Sequence, residues 1–511
     1  MKLHSWKPLK PQNLFYAGYL FFSTALFVFL IEMALWGGDL VTRGKLPVLF
    51  HGDYPSNPRD FLKIAIFGES SAKGFNADYG FANVLYYELK RRSSRPPYLK
   101  NYAREGFPFH GYQAEIVKAN IHRYDVFLIY AGHNEVHNYL DSSGKFRKPE
   151  FKKYRTFRMK PGDDWSLVRR ILEEHSRIYA FLWRYRQHSL DSAVKRAGGW
   201  NVPMRWEEFM PEGVLPADER KKIDTNFQAD LEEIGRLAQK YHKQVIIMGV
   251  PSCEDWKPMF SVHNNELPRE ASARWSNEYR QGELLCEEGN LKDALSHFQI
   301  AHAIDGGVAI LNYRIGMTLV NLGRPEESHK FLRRAIDTDG FPARALNSLS
   351  AIAESVANQF PNVHYCNMVE TFEKLVERGC QWRQLFSDFQ HPSFAGHVVI
   401  AHGLLSQIAA IEPFGYQSLD LDSARLNELV AFYHREFGFT PAVQAKTEKY
   451  RVIWACGTAE ISAYPEELFA LAEKSLQLYY ENTDKGSEAE QEYNHWTKMI
   501  QALKAKRLLN R

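Results

Sequence analysis

The stretch KIAIFGESSAKG, from Lys63 to Gly74, decides the fold, because a short apolar run ends there in a glycine and two serines. An apolar run of this length, followed by helical spacing at Tyr79–Arg91, is typical of a buried parallel strand and its crossover helix. Further runs of this kind are Leu99–Ala103, Asp125–Gly132, Lys243–Val250 and, more weakly, Val363–Met368. We therefore predict an α/β fold with a doubly wound, flavodoxin-like parallel sheet of about five strands.

The composition excludes several classes of protein. The 511 residues carry 64 Lys and Arg against 61 Asp and Glu, and this net charge of +3 gives no reason to expect a nucleic-acid partner. A hydrophobic content of 45% is that of a globular chain, not of a disordered or collagenous one. The five cysteines are too few for a disulfide scaffold, and their spacing argues against a zinc ribbon.

Leu14–Trp36 is the one stretch long and apolar enough to cross a bilayer, since its length as a helix is about 34 Å. Three lysines and no acidic residue precede it, so the positive-inside rule keeps residues 1–13 in the cytoplasm. We expect a single-pass anchor, followed by a linker at 37–59 and a domain outside the cytoplasm, in the periplasm if the cell is a Gram-negative bacterium. A cleaved signal peptide and a buried core helix are the alternatives.

An internal repeat interrupts the α/β pattern. Tyr279 and the small and apolar residues that follow it, up to Ala301, recur 34 residues later between Tyr313 and Ala335. A helix–turn–helix period of this length resembles the tetratricopeptide repeat, in which small residues let paired helices approach closely. We therefore expect a tetratricopeptide-like insertion over 268–340, which could bind a protein partner.

The repeat divides the predicted α/β domain into two parts, 60–267 and 341–411. The first part contains a basic and aromatic insertion at 140–215, which we interpret as helices and loops that cap the sheet. The tail at 412–511 is predicted to form amphipathic helices, at Ser423–Phe437, Pro465–Tyr480 and Glu488–Arg507. The sequence gives this tail no chemistry, so structural support and partner docking are both open.

Four short motifs place polar groups at strand ends or beside the last helix of the domain. Ser70 follows the first strand, where the start of a helix would supply NH groups to an oxyanion. Gly106 ends NYAREG and could offer a bare backbone NH, while Asn134 in GHNE could donate its side-chain amide. Asp388 precedes His391 by three residues in DFQHP, so its carboxylate can orient the imidazole. Taken alone, the Ser70 and Gly106 motifs are better explained by a turn or a helix cap, and the Asp388–His391 motif is equally explained by a helix-entry aspartate and a surface histidine.

Taken together, the four motifs resemble the SGNH, or GDSL-type, serine hydrolase family. The resemblance covers about 63–135, 243–252 and 361–410, roughly half of the chain beyond the predicted anchor. The sequence departs from the family at Glu69 and Glu135, where an aspartate is usual, and both changes keep the charge. The chain looks like membrane-anchored bacterial relatives that carry tetratricopeptide insertions.

The resemblance implies a role for each of these residues. Ser70 would be the nucleophile, His391 the general base and Asp388 the carboxylate that orients it. The oxyanion hole would consist of the Ser70 NH, the Gly106 NH and the Asn134 side chain.

Other residues are weaker candidates. Ser71 is the alternative nucleophile. Trp256 and Arg344 could contact substrate, although packing for the tryptophan and a surface position for the arginine are simpler interpretations. The segment HNEVH at 133–137 has two histidines four apart but not the H-E-x-x-H order, so we predict no metal and no cofactor.

We expect a membrane-anchored, extracytoplasmic serine esterase, or an O-acyltransferase, that acts on an acylated small molecule, glycan, lipid or cell-envelope component. The motifs do not distinguish water from an alcohol as acceptor. Two other functions stay open. The chain could be a catalytically silent repeat scaffold of an envelope assembly, or a polysaccharide-binding module that uses the aromatic residues of 140–215.

Overall fold

The computed structural model describes residues 61–75, 77–135, 217–263, 267–340, 342–459 and 462–509. All of them belong to one compact unit of the chain. The predicted membrane anchor at 14–36 and the aromatic insertion at 140–215 lie outside the described residues, so both stay predictions.

Five parallel strands form a single sheet, in the order β2-β1-β3-β4-β5. They are β1 (Leu62–Gly68), β2 (Pro97–Asn101), β3 (Val126–Tyr130), β4 (Gln244–Met248) and β5 (Val363–Cys366). This order is that of flavodoxin-like doubly wound sheets, so the predicted parallel sheet of five strands is confirmed. Each observed strand overlaps its predicted run, and β2, β3, β4 and β5 each end two residues earlier than predicted.

Sixteen α-helices occur in the part of the chain that the structure describes. They are α1 (Ser70–Lys73), α2 (Phe81–Arg92), α3 (Ala114–Asn120), α4 (Ala217–Lys240), α5 (Arg269–Glu287), α6 (Leu291–Ile304), α7 (Ala309–Asn321), α8 (Pro325–Asp337), α9 (Asn347–Ala357), α10 (Met368–Glu377), α11 (Trp382–Leu385), α12 (Phe394–Ile411), α13 (Ser423–Phe437), α14 (Pro441–Ala459), α15 (Glu466–Glu481) and α16 (Ser487–Leu509). A kinked turn, Phe109–Gln113, with non-helical backbone at His110 and Gly111, precedes α3.

The sheet separates two apolar layers, because successive side chains of a strand point to opposite faces. Ile64 and Ile66 of β1 pack in the layer with α2 and α12, whereas Ala65 and Phe67 pack in the layer with α3, α4 and α9. Both faces of β1 are therefore buried, which explains why its sequence is an almost continuous apolar run.

Helix α12 has the length and apolar composition of a membrane span, with a mean hydropathy of 1.6. A core helix of a globular domain meets the same criteria, and 61% of this helix is buried within the protein. Val398, Ile400 and Leu404 lie in the same apolar layer as the inner face of α2. Most of helix α12 is thus covered by its own chain, which accounts for its apolar sequence.

Helices α5 to α8 occupy the region of the internal repeat, and they pack as the pairs α5 with α6 and α7 with α8. A Cβ atom added at Gly282 would overlap the ring of Phe298, and one added at Gly316 would lie 2.5 Å from the Leu332 side chain. These equivalent glycines therefore let the helices of each pair approach closely. Membership of the tetratricopeptide class stays a prediction.

The tail contains four helices where three were predicted. The additional one is α14, which begins at Pro441 directly after Thr440. A proline at the first position of a helix after a hydroxyl residue is a recognised start signal, so the sequence contained evidence for this helix. Buried side chains of α13 to α16 belong to the same apolar layer as α2 and α12.

Candidate active site

The loops after β1 and β3 meet at the carboxyl edge of the sheet, because the register aligns Gly68 with Tyr130. Gly68 has a φ of 153°, and a Cβ atom there would collide with the Tyr130 carbonyl oxygen. A glycine is therefore required at the point where the chain leaves β1. The next turn begins helix α1 at Ser70 and brings this serine to the sheet edge.

Ser70, His391 and Asp388 form a continuous hydrogen-bonded series. Ser70 Oγ lies 2.8 Å from His391 Nε2, and His391 Nδ1 lies 2.7 Å from Asp388 Oδ2. The carboxylate and the imidazole are buried, and the serine is nearly so. The structure thus brings together the three residues to which the sequence assigned a hydroxyl, an imidazole and an orienting carboxylate.

The short loop between α11 and α12 fixes Asp388. Its Oδ1 accepts hydrogen bonds from the backbone NH groups of Gln390 (2.9 Å) and His391 (2.8 Å), which leaves Oδ2 for the imidazole. Burial alone would raise the pKa of Asp388, but the charge and hydrogen bonds of His391 and the two NH donors outweigh it and hold the pKa below its usual value. Asp388 therefore stays ionised, and it can stabilise a protonated His391.

The residues predicted for an oxyanion hole lie on the loops around Ser70. Ser70 is the first residue of α1, so its NH has no acceptor within that helix. The Asn134 amide donates to the Phe107 carbonyl at 3.3 Å, next to Gly106, whose φ of 72° turns the chain. The Asn134 side chain and the Gly106 loop are therefore neighbours at this edge of the sheet.

Glu69 fixes the loop that carries Asn134. Its Oε1 accepts hydrogen bonds from the NH groups of Gly132 (3.1 Å) and Asn134 (3.0 Å), and its Oε2 accepts one from His133 (2.9 Å). Burial and the nearby Glu135 carboxylate raise the pKa of Glu69 to about 8, against the effect of the three NH donors. The sequence showed Glu69 only as a departure from a family pattern and gave no sign of this bridge between the loops after β1 and β3.

Glu135 makes a similar bridge to the kinked turn at Phe109–Gln113. Its carboxylate accepts hydrogen bonds from the NH groups of Phe109 and His110. Burial raises its pKa to about 7, although these donors and the charge of His110 act in the opposite direction. Glu69 and Glu135, each of which lies next to a motif residue in the sequence, thus hold backbone loops in place.

The remaining candidates are engaged in packing. Ser71 Oγ donates to the Gln390 carbonyl at 3.2 Å. Trp256 is buried, with the Arg383 guanidinium 4.1 Å above its ring. Arg344 is only 2% exposed and donates to the Cys253 and Trp256 carbonyls, so the interpretation of it as a surface arginine is wrong. Substrate contact by Trp256 or Arg344 stays a prediction.

The histidine and glutamate of the HNEVH segment do not converge on a common point. His133 Nδ1 accepts from the Ala345 NH at 3.0 Å, while Glu135 is held by the kinked turn at Phe109–Gln113. His137 lies outside the described residues.

Among the described residues, one other group of side chains could hold a metal by position, namely Glu254, His329 and Glu373. Arg333 already contributes a positive charge there, since it forms ion pairs with both glutamates.

Sequence reasoning missed the aromatic side chains around His391. The Phe75 ring centroid lies 4.9 Å from the imidazole, and that of Trp454, on α14, lies 5.7 Å from it. Trp454 also contacts Phe389, at 5.2 Å between ring centroids. The tail, for which the sequence indicated no chemistry, therefore contributes a side chain that touches the candidate base.

No protein-family model matches the sequence, and no curated protein matches it. Among solved structures, Axe2, an acetylxylan esterase from Geobacillus stearothermophilus, is similar at 13% identity and a TM-score of 0.27 over 70% of this chain and 95% of that one. A catalytic mutant of Axe2 is similar at 12% identity and a TM-score of 0.28, over 70% of this chain and 96% of that one. LAE5, an alpha/beta hydrolase from the metagenome of Lake Arreo, Spain, is similar at 13% identity and a TM-score of 0.26, over 67% of this chain and 93% of that one. The function is therefore inferred from the geometry of the site.

Proposed function

We propose that the protein is a serine esterase of the SGNH type. The observation that carries the proposal is the series from Ser70 to His391 to Asp388, in which the first two residues are 321 positions apart in the chain. A hydroxyl that touches a buried imidazole, which in turn touches an ionised carboxylate, is the arrangement of an activated nucleophile.

In this proposal, His391 Nε2 takes the proton from Ser70 Oγ as the hydroxyl oxygen attacks the ester carbonyl. The Ser70 NH, the Gly106 NH and the Asn134 amide stabilise the negative charge that develops on the carbonyl oxygen. His391 then donates its proton to the alcohol oxygen as the bond between this oxygen and the acyl carbon breaks. The alcohol departs, and the acyl group stays bonded to Ser70. Water or a second alcohol attacks that acyl group by the reverse sequence. Loss of one oxyanion donor typically lowers the rate by about 10²–10³.

The predicted setting of the chain narrows the class of substrate. An uncleaved anchor at 14–36 would hold the site outside the cytoplasm and beside a membrane. An acylated glycan, lipid or other cell-envelope component is therefore the substrate class that we propose. Transfer of the acyl group to an alcohol, in place of hydrolysis, is compatible with the same residues.

A fluorophosphonate probe, which forms a covalent bond with activated serines, tests the proposal directly. We expect the wild-type protein and Ser71→Ala to be labelled, and Ser70→Ala not to be. Ser71→Ala is the matched control, because it removes a neighbouring buried hydroxyl that is bound to a backbone carbonyl. Equal labelling of wild type and Ser70→Ala would contradict the proposal, and absence of labelling in the folded wild type would favour a silent scaffold.

A further inference from the structure

Helix α14 presents an apolar stripe to solvent next to the candidate base. Tyr450 is 53% exposed and Ile453 is 44% exposed, and both share a helical face with the partly exposed Trp454. In the described residues, the other large apolar side chains with comparable exposure are Tyr86, Leu284, Ile300 and Val320. Exposed apolar side chains that cluster on one face are more informative than single ones, because clusters mark binding surfaces.

The stripe is continuous with the surroundings of His391. Trp454 contacts the imidazole nearly edge to face, with an interplanar angle of 87°, and Phe75 contacts the same ring. Phe75 is also partly exposed. Together, Phe75, Trp454, Tyr450 and Ile453 form what we call the α14 rim.

The chemistry of the proposed reaction indicates which half of an ester the α14 rim would meet. The acyl carbon becomes bonded to Ser70 Oγ, whereas the alcohol oxygen receives its proton from His391 Nε2. The group attached to the leaving oxygen must therefore lie beside the imidazole when that proton is transferred. Side chains that pack against the imidazole are placed to contact the alcohol half, not the acyl half.

We propose that the α14 rim is a binding site for the alcohol half of the ester, and that this half carries an apolar group. The proposal rests on the esterase function proposed above. Tyr450 lies one helical turn from Trp454, about 6 Å along the axis, so the rim suits a group longer than an ethyl chain. Ile453 offers no hydrogen bond, which favours an alkyl or aryl alcohol over a sugar.

Ester hydrolysis by full-length variants tests this inference. We would measure kcat/KM for methyl acetate, hexyl acetate, methyl hexanoate and glucose pentaacetate, with wild type, the double variant Tyr450→Ala/Ile453→Ala, and the control Leu284→Ala. We expect the double variant to lose on the order of 10-fold on hexyl acetate, and little on methyl acetate or methyl hexanoate, because one lost apolar contact is worth roughly this factor. Leu284 is an exposed apolar side chain on α5, so Leu284→Ala should behave as wild type.

Several results would overturn the inference. They are no loss on hexyl acetate, an equal loss on all four esters, or a loss confined to methyl hexanoate. A loss confined to glucose pentaacetate would assign the rim to a sugar and refute the apolar alcohol. These outcomes are distinct from failure of the esterase proposal, in which wild type would neither react with the fluorophosphonate probe nor hydrolyse any of the four esters.

Discussion

The Glu69 carboxylate accepts hydrogen bonds from three consecutive NH groups, those of residues 132 to 134. Through these bonds it holds the Asn134 backbone relative to Ser70, its own neighbour in the chain. Above its raised pKa of about 8, Glu69 is ionised and both of its oxygens accept, whereas an amide at position 69 would direct an NH₂ group at one of the three donors, which would lose its acceptor in a buried site.

We therefore predict that Glu69→Gln lowers kcat by about 10- to 100-fold, somewhat less than the loss of a whole oxyanion donor, and stability by about 1–3 kcal/mol. Steady-state kinetics with an ester that wild type hydrolyses, together with urea unfolding, would measure both effects at a pH above the raised pKa of Glu69. Because Glu69 acts through Asn134, the double variant Glu69→Gln/Asn134→Ala should be no slower than Asn134→Ala alone. Fully additive losses in kcat would contradict this positioning role.

Much of the site at this scale could be predicted from the sequence. Ser70, Asp388 and His391 each lie in a short motif whose spacing and place after a strand or before a helix are local properties. The roles of Glu69 and Glu135 could not be predicted, because each depends on a loop that approaches from another part of the sheet. The buried position of Arg344 was missed for the same reason, since its acceptors are carbonyls about 90 residues away, at Cys253 and Trp256.

At the scale of helices, the repeat region depends on the equivalent glycines of α5 and α7. A glycine-to-alanine change within a helix normally stabilises it by about 1 kcal/mol. At Gly316 the added methyl group would lie 2.5 Å from the buried Leu332 side chain, so the overlap should outweigh this gain.

We predict that Gly316→Ala lowers the free energy of unfolding by about 1–2 kcal/mol. This value is the cost of the overlap minus the gain in helix propensity. Thermal unfolding followed by circular dichroism would measure the change. Gly415→Ala is the control, because nothing lies within 4 Å of a Cβ atom at that exposed position. A Gly316→Ala variant as stable as wild type would show that α7 and α8 can separate at little cost.

Titratable side chains connect the repeat helix α8 to α10 and to the loop after β4. His329 Nδ1 lies 2.7 Å from Glu254 Oε2, and its Nε2 lies 3.7 Å from Glu377 Oε1. Arg333 forms an ion pair with Glu373 in the same group. Burial and the Glu254 charge raise the pKa of Glu373 to about 7. Burial alone would lower the pKa of His329, but the Glu254 hydrogen bond and the carboxylates raise it. Both groups thus hold a proton more tightly in the folded state than in the unfolded one.

It follows that this group stabilises the fold at low pH and less so at high pH. The contribution of Glu373 should be lost as the pH rises from the ordinary glutamate pKa of 4.5 to the raised pKa of about 7, and that of His329 as the pH rises through its raised pKa in the folded state. We predict that His329→Gln lowers the Tm by about 2–4 °C at pH 5.5 and by clearly less at pH 8.5. Calorimetry at both values would measure this, and a deficit that grows with pH would contradict it.

Sequence patterns predicted three of the four helices of the tail and missed α14. The amphipathic helices α13, α15 and α16 were predicted close to their observed ends, because one face of each is apolar. Helix α14 was missed, since both of its sides carry apolar residues: Val452 and Ala455 face the core, and Tyr450 and Ile453 face solvent. Apolar residues on both sides of a helix weaken the amphipathic pattern by which a surface helix is predicted.

For the molecule as a whole, the tail and the sheet share one apolar layer. Ile500 of α16, 1% exposed, belongs to the same layer as Ile64 of β1 and Leu404 of α12. A loss of packing in the tail should therefore destabilise the sheet as well, not the last helices alone.

We predict that Ile500→Ala lowers the free energy of unfolding by about 2–5 kcal/mol and keeps a single transition. Urea unfolding followed by circular dichroism and by fluorophosphonate labelling should give the same midpoint. Ile453→Ala, at an exposed position, should shift that midpoint little. Labelling that persists after a first, partial loss of helical signal would show that the tail unfolds by itself.

The separation of Ser70 from His391 along the chain also affects biosynthesis. A growing polypeptide carries the serine early, but the imidazole that would activate it is added only when 391 of the 511 residues have been joined. Until then the hydroxyl is no more reactive than that of any other serine. If Ser70 is the nucleophile proposed above, nascent chains and fragments that end before His391 lack the base that would activate it.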